Sequence, residues 1–187
     1  MPASPPLQPT LWRTCRVLAN RRRLRILGLL VQSPELSVSG VAERLELSLP
    51  VASQYLRALE ARGLLAARRV GRRVQYRLNI ASAIEPARVL AAAVRLAFQH
   101  DLAPVEALFR LATTFTHPRR IEIFRALAAQ ARTTGQLQAV TRISAAALCR
   151  HRRKLEARGF VAEHQGLYAV ASRSDVFGRT LARLAVK

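Results

Sequence analysis

The five-residue phrase LEARG occurs twice in this chain of 187 residues, at residues 59–63 and 155–159. The two copies lie 96 residues apart, and the sequence around them also agrees. The matching flanks, at an offset of 97, are residues 11–18 with 108–115 and residues 19–30 with 116–127. A chance repeat of common residues would not extend into the flanks. Because self-similarity at a fixed offset indicates a repeated structural unit, the sequence predicts a duplicated domain.

Each copy is predicted to form four helices and a β-hairpin, because apolar residues recur at helical spacing and turn residues separate the runs. The predicted helices are residues 10–18, 21–32, 38–45 and 49–62 in the first copy and 104–115, 118–131, 134–140 and 145–158 in the second. The first hairpin turns at Gly71, and the second hairpin is shorter. Two further helices are predicted, an alanine-rich amphipathic one at residues 84–99 and a final one at residues 175–187.

The repeated phrase is predicted to close the fourth helix of each copy. Gly63 and Gly159 would take the left-handed conformation that ends a helix, where glycine has no steric penalty. The apolar residue after each glycine, Leu64 or Phe160, would pack back on the helix. Ser37 and Ser48 are predicted N-caps of the third and fourth helices.

The chain is strongly basic, with 31 Lys and Arg against 11 Asp and Glu and a net charge of +20. Only Lys154 and Lys187 are lysines, so nearly all of this charge is arginine. A balance of this kind points to a polyanionic partner, with nucleic acid the first candidate. A genome that favours arginine codons would explain the count, but not where the arginines lie.

Several other functions find no support in the sequence. Two cysteines, Cys15 and Cys149, imply no disulfide framework and fit a reducing cytoplasm. No apolar run approaches the roughly 20 residues of a membrane span, and residues 1–9 are expected to form a disordered proline-rich leader. No nucleophile-and-base arrangement, phosphate loop or spaced ligand set is present, so we expect a protein that is not an enzyme and binds no metal or cofactor.

The segment from residue 35 to residue 78 resembles the ArsR-type winged-helix repressors. In that family the recognition helix runs as Ser, any residue, Pro, two small or branched residues, Ser, a polar residue, His or Tyr, Leu, a basic residue, any residue and Leu. The matching residues here are Ser48, Pro50, Val51, Ala52, Ser53, Gln54, Tyr55, Leu56, Arg57 and Leu59. The resemblance implies sequence-specific binding of duplex DNA in transcriptional control.

The expected fold is therefore mainly α with small β-hairpins (α+β), as two tandem winged helix-turn-helix domains. The expected divisions are a leader at residues 1–9, a first domain at 10–80, a helical linker at 81–103 and a second domain with a C-terminal helix at 104–187. Family members usually act as dimers, and here the two copies could form a pseudo-dimer within one chain. A homodimer is not excluded, and residues 84–99 could instead be only a spacer.

The resemblance also assigns the expected DNA contacts. In the recognition helix these are Ser48, Leu49, Pro50, Val51, Ser53, Gln54 and Arg57, and in the hairpin they are Arg68, Arg69, Arg72 and Arg73. Gln54 can pair with adenine, and Arg57 can reach guanine or phosphate. The alternative is that Gln54 and Arg57 are only the solvated face of a helix. Metal-sensing members carry a Cys-x-Cys pair where this chain has Ser37 and Ser39, and a hydroxyl is a poor ligand for a soft metal.

The second copy departs further from the family pattern. Pro50 is replaced by Ala146 and Ser53 by Cys149, and the second hairpin lacks the arginines. Its possible DNA contacts are Ser144, Arg150, Arg153 and Lys154. The second copy either grips phosphates or only completes a dimer-like interface. Two other functions stay open for the whole chain, a protein-interaction module and a sequence-independent nucleic-acid binder, and the sequence specifies no effector.

Overall fold

The structure, a computed structural model, describes residues 10–100 and 104–187. It is mainly helical, with two small antiparallel sheets. The leader predicted at residues 1–9 and the end of the predicted linker at 101–103 lie outside the described residues.

The first half of the chain forms four helices and a three-stranded sheet. The helices are α1 (Leu11–Leu18), α2 (Arg21–Gln32), α3 (Val38–Arg44) and α4 (Leu49–Glu60). The strands are β1 (Leu36–Ser37), β2 (Leu65–Val70) and β3 (Arg73–Leu78), arranged in the order β1-β3-β2. The prediction for this half holds, although α4 ends two residues early because residues 61–63 form a turn.

The rest of the chain repeats that order of elements after a connecting helix, α5 (Glu85–His100). The helices that follow are α6 (Pro104–Ala112), a 3-10 turn (Thr113–Phe115), α7 (Pro118–Ala129), α8 (Thr134–Thr141) and α9 (Ala145–Glu156). A hairpin of β4 (Val161–His164) and β5 (Leu167–Val170) and a last helix, α10 (Val176–Val186), complete it. The helix predicted at 104–115 therefore ends in a 3-10 turn, and the one predicted at 118–131 stops early because Gln130 is extended.

The cap predicted for the repeated phrase is confirmed. Gly63 has φ 71° and Gly159 has φ 68°, both in the left-handed region. The backbone N–H of Leu64 donates to the carbonyl of Leu59 at 3.1 Å, and the equivalent bond in the second half is 3.0 Å. These bonds satisfy carbonyls that the end of a helix leaves free, and they turn the chain into the first strand of each hairpin.

The two halves share one hydrophobic core. Helix α5 packs against α10, α1 packs against the 3-10 turn and α6, and α2 packs against α6. The buried apolar residues of both halves form a single cluster. A Cβ built on Gly28 of α2 would lie 2.6 Å from the ring of Phe98, so glycine is what allows α5 to approach α2 this closely.

Equivalent core positions of the two halves hold side chains of different size. Phe115, Phe124 and Phe160 meet edge to face in the second half, with ring centroids 5.0–6.2 Å apart. The first half has fully buried leucines at the aligned positions: Leu18, Leu27 and Leu64. The same arrangement of elements is thus filled with aromatic residues on one side and aliphatic residues on the other.

Replacing the capping glycines should measurably destabilise the protein. Gly63→Ala and Gly159→Ala should each lower the free energy of unfolding by about 1 kcal/mol, because alanine is strained at positive φ. Gly63→Ala should cost more, since its Cβ would lie 3.1 Å from that of Ala87. Gly135→Ala in the first turn of α8, where nothing lies within 4 Å, is the control and should be neutral or stabilising. Equal effects of all three in urea unfolding would contradict this account of the caps.

Candidate nucleic-acid interface

The outer face of α4 carries most of the residues expected to read DNA. Ser48, Leu49, Pro50, Gln54 and Arg57 are exposed, with Leu49 56% exposed. The opposite face, with Ala52, Leu56 and Leu59, is fully buried. Val51 and Ser53, by contrast, are only half-exposed at the edge of the outer face.

Ser48 occupies the N-cap position of α4, but its hydroxyl makes no capping hydrogen bond. Ser144 behaves in the same way before α9, whereas the Ser37 hydroxyl accepts from the N–H of Gly40 at 3.2 Å. The N-cap positions predicted for Ser37 and Ser48 are therefore both confirmed, and only Ser37 makes the capping hydrogen bond with its side chain. Without an internal acceptor role, the exposed hydroxyls of Ser48 and Ser144 are available to a ligand such as a phosphate.

The hairpin of β2 and β3 holds its arginines on two faces. Arg68 pairs with Gln75, and Val70 with Arg73, so Arg68 and Arg73 lie on one face of the ribbon. Arg69 pairs with Val74 on the other face, and Arg72 lies in the turn beside Gly71, whose φ is 58°. All four arginines are exposed. None of them makes a hydrogen bond or ion pair with the residues that the structure describes.

Sequence reasoning missed one arginine of this hairpin. Arg77 is exposed and lies on the same face as Arg68 and Arg73. The alternation Arg73, Gln75, Arg77 along β3 carried the signal, because residues two apart on a strand share a face.

Other arginines serve the fold instead of a surface. Arg23 donates to the carbonyl of Val17 at 2.6 Å, and Arg120 donates to the hydroxyl of Thr116 at 2.5 Å. Both side chains are half-buried, and burial lowers the pKa of each guanidinium. Arg173 donates to the last carbonyls behind α9 at 2.8 and 2.9 Å, as basic residues at helix C-termini often do. The basic composition therefore divides into structural arginines and a separate exposed set.

The outer face of α9 repeats the position of the outer face of α4 with different residues. At the 96-residue offset, Arg150 aligns with Gln54 and Arg153 with Arg57, and both arginines are exposed. Lys154 does not join them, because it is half-buried on another face of the helix. Burial lowers the pKa of its ammonium, and Arg158 and Arg120 lower it further.

Arg152 replaces an apolar residue of the first half, Leu56, and its charge is compensated locally. Its guanidinium donates to Glu156 at 2.6 Å and lies 3.9 Å from the ring centroid of Tyr168. The arginine is thus both paired with a carboxylate and stacked on an aromatic ring.

Arg142, a cation near the outer face of α9, was not predicted from the sequence. Arg142 precedes α9 and is exposed, with φ 52°, the same left-handed value as Glu46 before α4. The tight turn between the two helices requires this conformation in both halves, while the charge changes from negative to positive. The second hairpin offers no arginine, and Glu163 accepts from the N–H of Gly166 in its turn.

Two histidines lie together where α9 meets the start of α7: His151 belongs to α9, and His117 is the N-cap of α7. The rings of His117 and His151 are 4.5 Å apart between centroids, and Nδ1 of His117 accepts from the N–H of Arg119 at 3.1 Å. Burial lowers the pKa of His151 to about 4, helped by His117 and nearby arginines. Burial and the neighbouring arginines also lower the pKa of His117.

The residues considered for metal or redox chemistry do not form one cluster in the described part of the chain. The hydroxyls of Ser37 and Ser39 are 2.9 Å from each other. Within residues 10–100 and 104–187, no three side chains of His, Cys, Asp or Glu come together. Cys15 is fully buried, and burial raises the pKa of its thiol, which favours an unreactive core residue. In the same part of the chain, no helix has the length and apolar character needed to cross a bilayer.

Comparison with known proteins gives three similarities. A family model described as winged helix-turn-helix DNA-binding matches residues 20–66, from the N-cap of α2 into β2. An HTH-type transcriptional regulator of Mycobacterium tuberculosis is 46% identical over 66 residues, which cover 35% of this chain and 29% of that protein. The chain thus spans less than a third of that curated relative.

The third similarity is to a solved structure. It is a solution NMR structure of a homodimeric winged helix-turn-helix DNA-binding domain, fragment 1–100 of a Mycobacterium bovis protein described as a possible ArsR-family transcriptional regulator. The two chains are 40% identical, and the match covers 48% of this chain and 79% of that one, with a TM-score of 0.38.

The half-buried pair of His117 and His151 should make stability depend on pH. Both pKa values lie below the ordinary 6.5, so the unfolded chain binds protons more readily than the folded one. The free energy of unfolding should therefore fall as the pH drops from about 6.5 towards about 4. His151→Tyr, which copies Tyr55 of the first half, should flatten this dependence in urea titrations. His164→Gln, at an exposed site on β4, is the control and should leave the slope unchanged; equal slopes in both variants would refute the assignment.

Proposed function

We propose that this chain, whose residues 20–66 form a winged helix-turn-helix domain of the DNA-binding family, is a sequence-specific regulator of transcription. Its target is double-stranded DNA, and it acts by binding and not by catalysis. The observation that carries the proposal is the exposed, unpaired polar face of α4 beside the four free arginines of the β2–β3 hairpin.

In the proposed complex, α4 enters the major groove with its N-terminal residues towards the bases. The side-chain amide of Gln54 can make two hydrogen bonds to adenine, and Arg57 can make two to guanine or reach a phosphate. The exposed side chain of Leu49 suits apolar contact with a thymine methyl group. Ser48, at the end of the helix, would hold a phosphate.

The hairpin would bind the DNA backbone or the minor groove. Arg68 and Arg73, with Arg77, offer a row of charge on one face of the ribbon, and Arg72 extends from its tip. Contacts of this kind fix orientation and affinity but carry little sequence information. The division of labour therefore places base recognition in α4 and electrostatic attachment in the hairpin.

The second half is proposed to be a diverged copy that completes a pseudo-dimer. Support comes from the matched left-handed residues Glu46 and Arg142 and from the bridge between Arg132 and Tyr168, which repeats the pairing of Leu36 with Tyr76. The pairing of α5 with α10 and of α1 with the 3-10 turn would then take the place of an interface between two chains. A homodimer of this chain is the alternative arrangement.

The second half is proposed to grip phosphates without reading bases. Arg142, Arg150 and Arg153 give its outer face positive charge, while the residue aligned with Gln54 is itself an arginine. Lys154 is left out of this surface because of its half-buried position. The whole proposal requires the protein to share a compartment with DNA, in line with the cytoplasm expected from its two cysteines.

Variants of the first half should separate attachment from recognition. Arg72→Ala with Arg73→Ala should weaken binding to all duplexes alike and reduce the slope of log K against log salt by about 2. Gln54→Ala should instead relax the preference at one base pair of a selected site, by roughly 1–3 kcal/mol. The control, Arg179→Ala with Arg183→Ala, removes the same charge from exposed sites on α10 and should change neither quantity.

Competition with random duplex in the same assay discriminates the rival functions. Specific binding survives an excess of random DNA, whereas sequence-independent binding is lost. A protein-interaction module binds neither the selected nor the random duplex. Unchanged affinity in both the Gln54 and the hairpin variants would contradict the proposed interface.

Variants of the second half test its proposed role. Arg150→Ala with Arg153→Ala should lower affinity uniformly across sequences, since phosphate contacts are insensitive to base identity. Binding is measured by selecting sites from a random pool with each variant and comparing the base preferences. A base-specific change would show that the second half reads sequence, and unchanged affinity would show that it serves only the interface.

A further inference from the structure

A cavity of about 530 Å³ opens between the two halves of the chain. Its apolar wall includes Trp12 of α1, Pro118 and Ile121 of α7, and Leu184 of α10, and its polar residues include Glu122. This volume lies within the range of small-molecule sites, and a mostly apolar wall with a few polar groups is typical of them. None of the proposed DNA contacts lines this cavity.

At the equivalent place on the other side of the repeat, an arginine covers the aromatic ring. Arg21, the first residue of α2, places its guanidinium carbon 3.8 Å from the ring centroid of Phe109. The same guanidinium donates to both carboxylate oxygens of Glu106 at 2.7 and 2.8 Å. On that side the two halves are thus joined at the surface by a cation held between an aromatic ring and a carboxylate, and both charged side chains are about half exposed.

The repeat aligns the two sides residue by residue. At the 97-residue offset, Trp12 corresponds to Phe109, and Arg21 corresponds to Pro118. Both Trp12 and Pro118 line the cavity. The aromatic ring is therefore present on the open side, whereas the arginine that would cover it has been replaced by a residue without charge.

The carboxylates on the open side come from different positions. Glu85 lines the cavity but binds Lys187, which closes one wall. Glu122 also lines it and has no hydrogen bond or ion pair with any residue that the structure describes. Arg125 lines the cavity as well, and its guanidinium donates to the carbonyl of Ala185 at 2.8 Å, so Glu122 is the carboxylate left for a ligand.

We propose that this cavity binds a small organic cation, with its charged group over the ring of Trp12 and near the carboxylate of Glu122. A quaternary ammonium or a substituted guanidinium has this chemistry, and its apolar part would contact Ile121 and Leu184. Tryptophan is the aromatic side chain that attracts cations most strongly. The guanidinium carbons of Arg13 and Arg16 lie 5.1 and 5.7 Å from the same ring centroid. A ligand would therefore compete with these two side chains for the face of the Trp12 ring.

A ligand here would contact both halves at once. The wall combines α1 and α5 with α7 and α10, which hold the two halves together. Occupancy would therefore favour one relative orientation of α4 and α9 and change the affinity for DNA, by the reciprocity that links two sites. This consequence rests on the proposed function, whereas binding of the cation does not.

The binding test needs no DNA. Trp12 is the only tryptophan of the chain, so its fluorescence reports on this cavity alone. The full chain is titrated with benzyltrimethylammonium and phenylguanidinium, and with benzyl alcohol and phenylacetate as neutral and anionic comparisons. We expect a saturable change with the two cations only. No saturable change with either cation, or equal affinity for phenylacetate, would overturn the proposal.

Three variants assign the site. Glu122→Gln should weaken cation binding about tenfold, whereas Glu43→Gln, on exposed α3, should leave it unchanged. Pro118→Arg introduces the residue found at the aligned position, Arg21, and should abolish binding because the new side chain would occupy the place of the ligand. If Pro118→Arg fails to fold, as judged by circular dichroism, Glu122→Gln decides alone. Cation binding that Glu122→Gln leaves unaltered would overturn the proposal.

Deletion of residues 1–9 tests whether that segment, and not a cation, occupies the cavity, since Thr10 lines it. We expect the deletion to leave cation affinity unchanged. Binding that appears only after the deletion would show that the cavity is the site of that segment, and would overturn the proposal. Repeating the titration with bound duplex then measures the coupling; an unchanged DNA affinity would refute only the coupling and leave the site standing.

Discussion

Side-chain packing of the two halves into one apolar core is the constraint on which the rest of the molecule depends. Helices α5 and α10 lie against each other, and α1 lies against the 3-10 turn, so neither half has a core of its own that is closed without the other. Arg21 reinforces this contact through Phe109 and Glu106. Because the helices that carry the exposed faces are anchored in this common core, α4 and α9 are held in a defined relation.

The arginine-rich composition becomes intelligible once the arginines are sorted by their surroundings. Arg23, Arg120 and Arg173 bind backbone carbonyls or hydroxyls inside the fold, and Arg152 is paired and stacked. Others, in the first hairpin and on the outer face of α9, have no partner in the described part of the chain. A codon bias accounts for many arginines but not for this division. The proposed DNA interface uses the second set.

The sequence was sufficient for the order of elements and for the caps. Gly63 and Gly159 were predictable because a left-handed helix end has a strong residue preference, and the repeat doubled the signal. The exposed face of α4 followed from the spacing of its apolar residues. Roles that depend on contacts distant in sequence were not predictable, such as the half-buried position of Lys154 and the stacking of Arg152 on the ring of Tyr168. The absence of a capping bond from the Ser48 hydroxyl was not predictable either, because the residue type fits the position.

The proposed duplication would also explain why the two halves need not do the same work. A duplicated chain, unlike a dimer of identical subunits, can change one copy without the other, as Gln54 against Arg150 and Arg21 against Pro118 illustrate. The first pair alters the surface proposed to face DNA. The second replaces an arginine that covers an aromatic ring with a proline that lines a cavity.

In the proposed function, one chain supplies both halves of a dimer-like DNA-binding unit. Sedimentation of the chain alone and with a duplex selected from a random pool measures this most directly. The account predicts a monomer in solution and one chain per duplex, protecting a site long enough for two half-sites. A stable dimer at low concentration, with two chains per duplex, would contradict it.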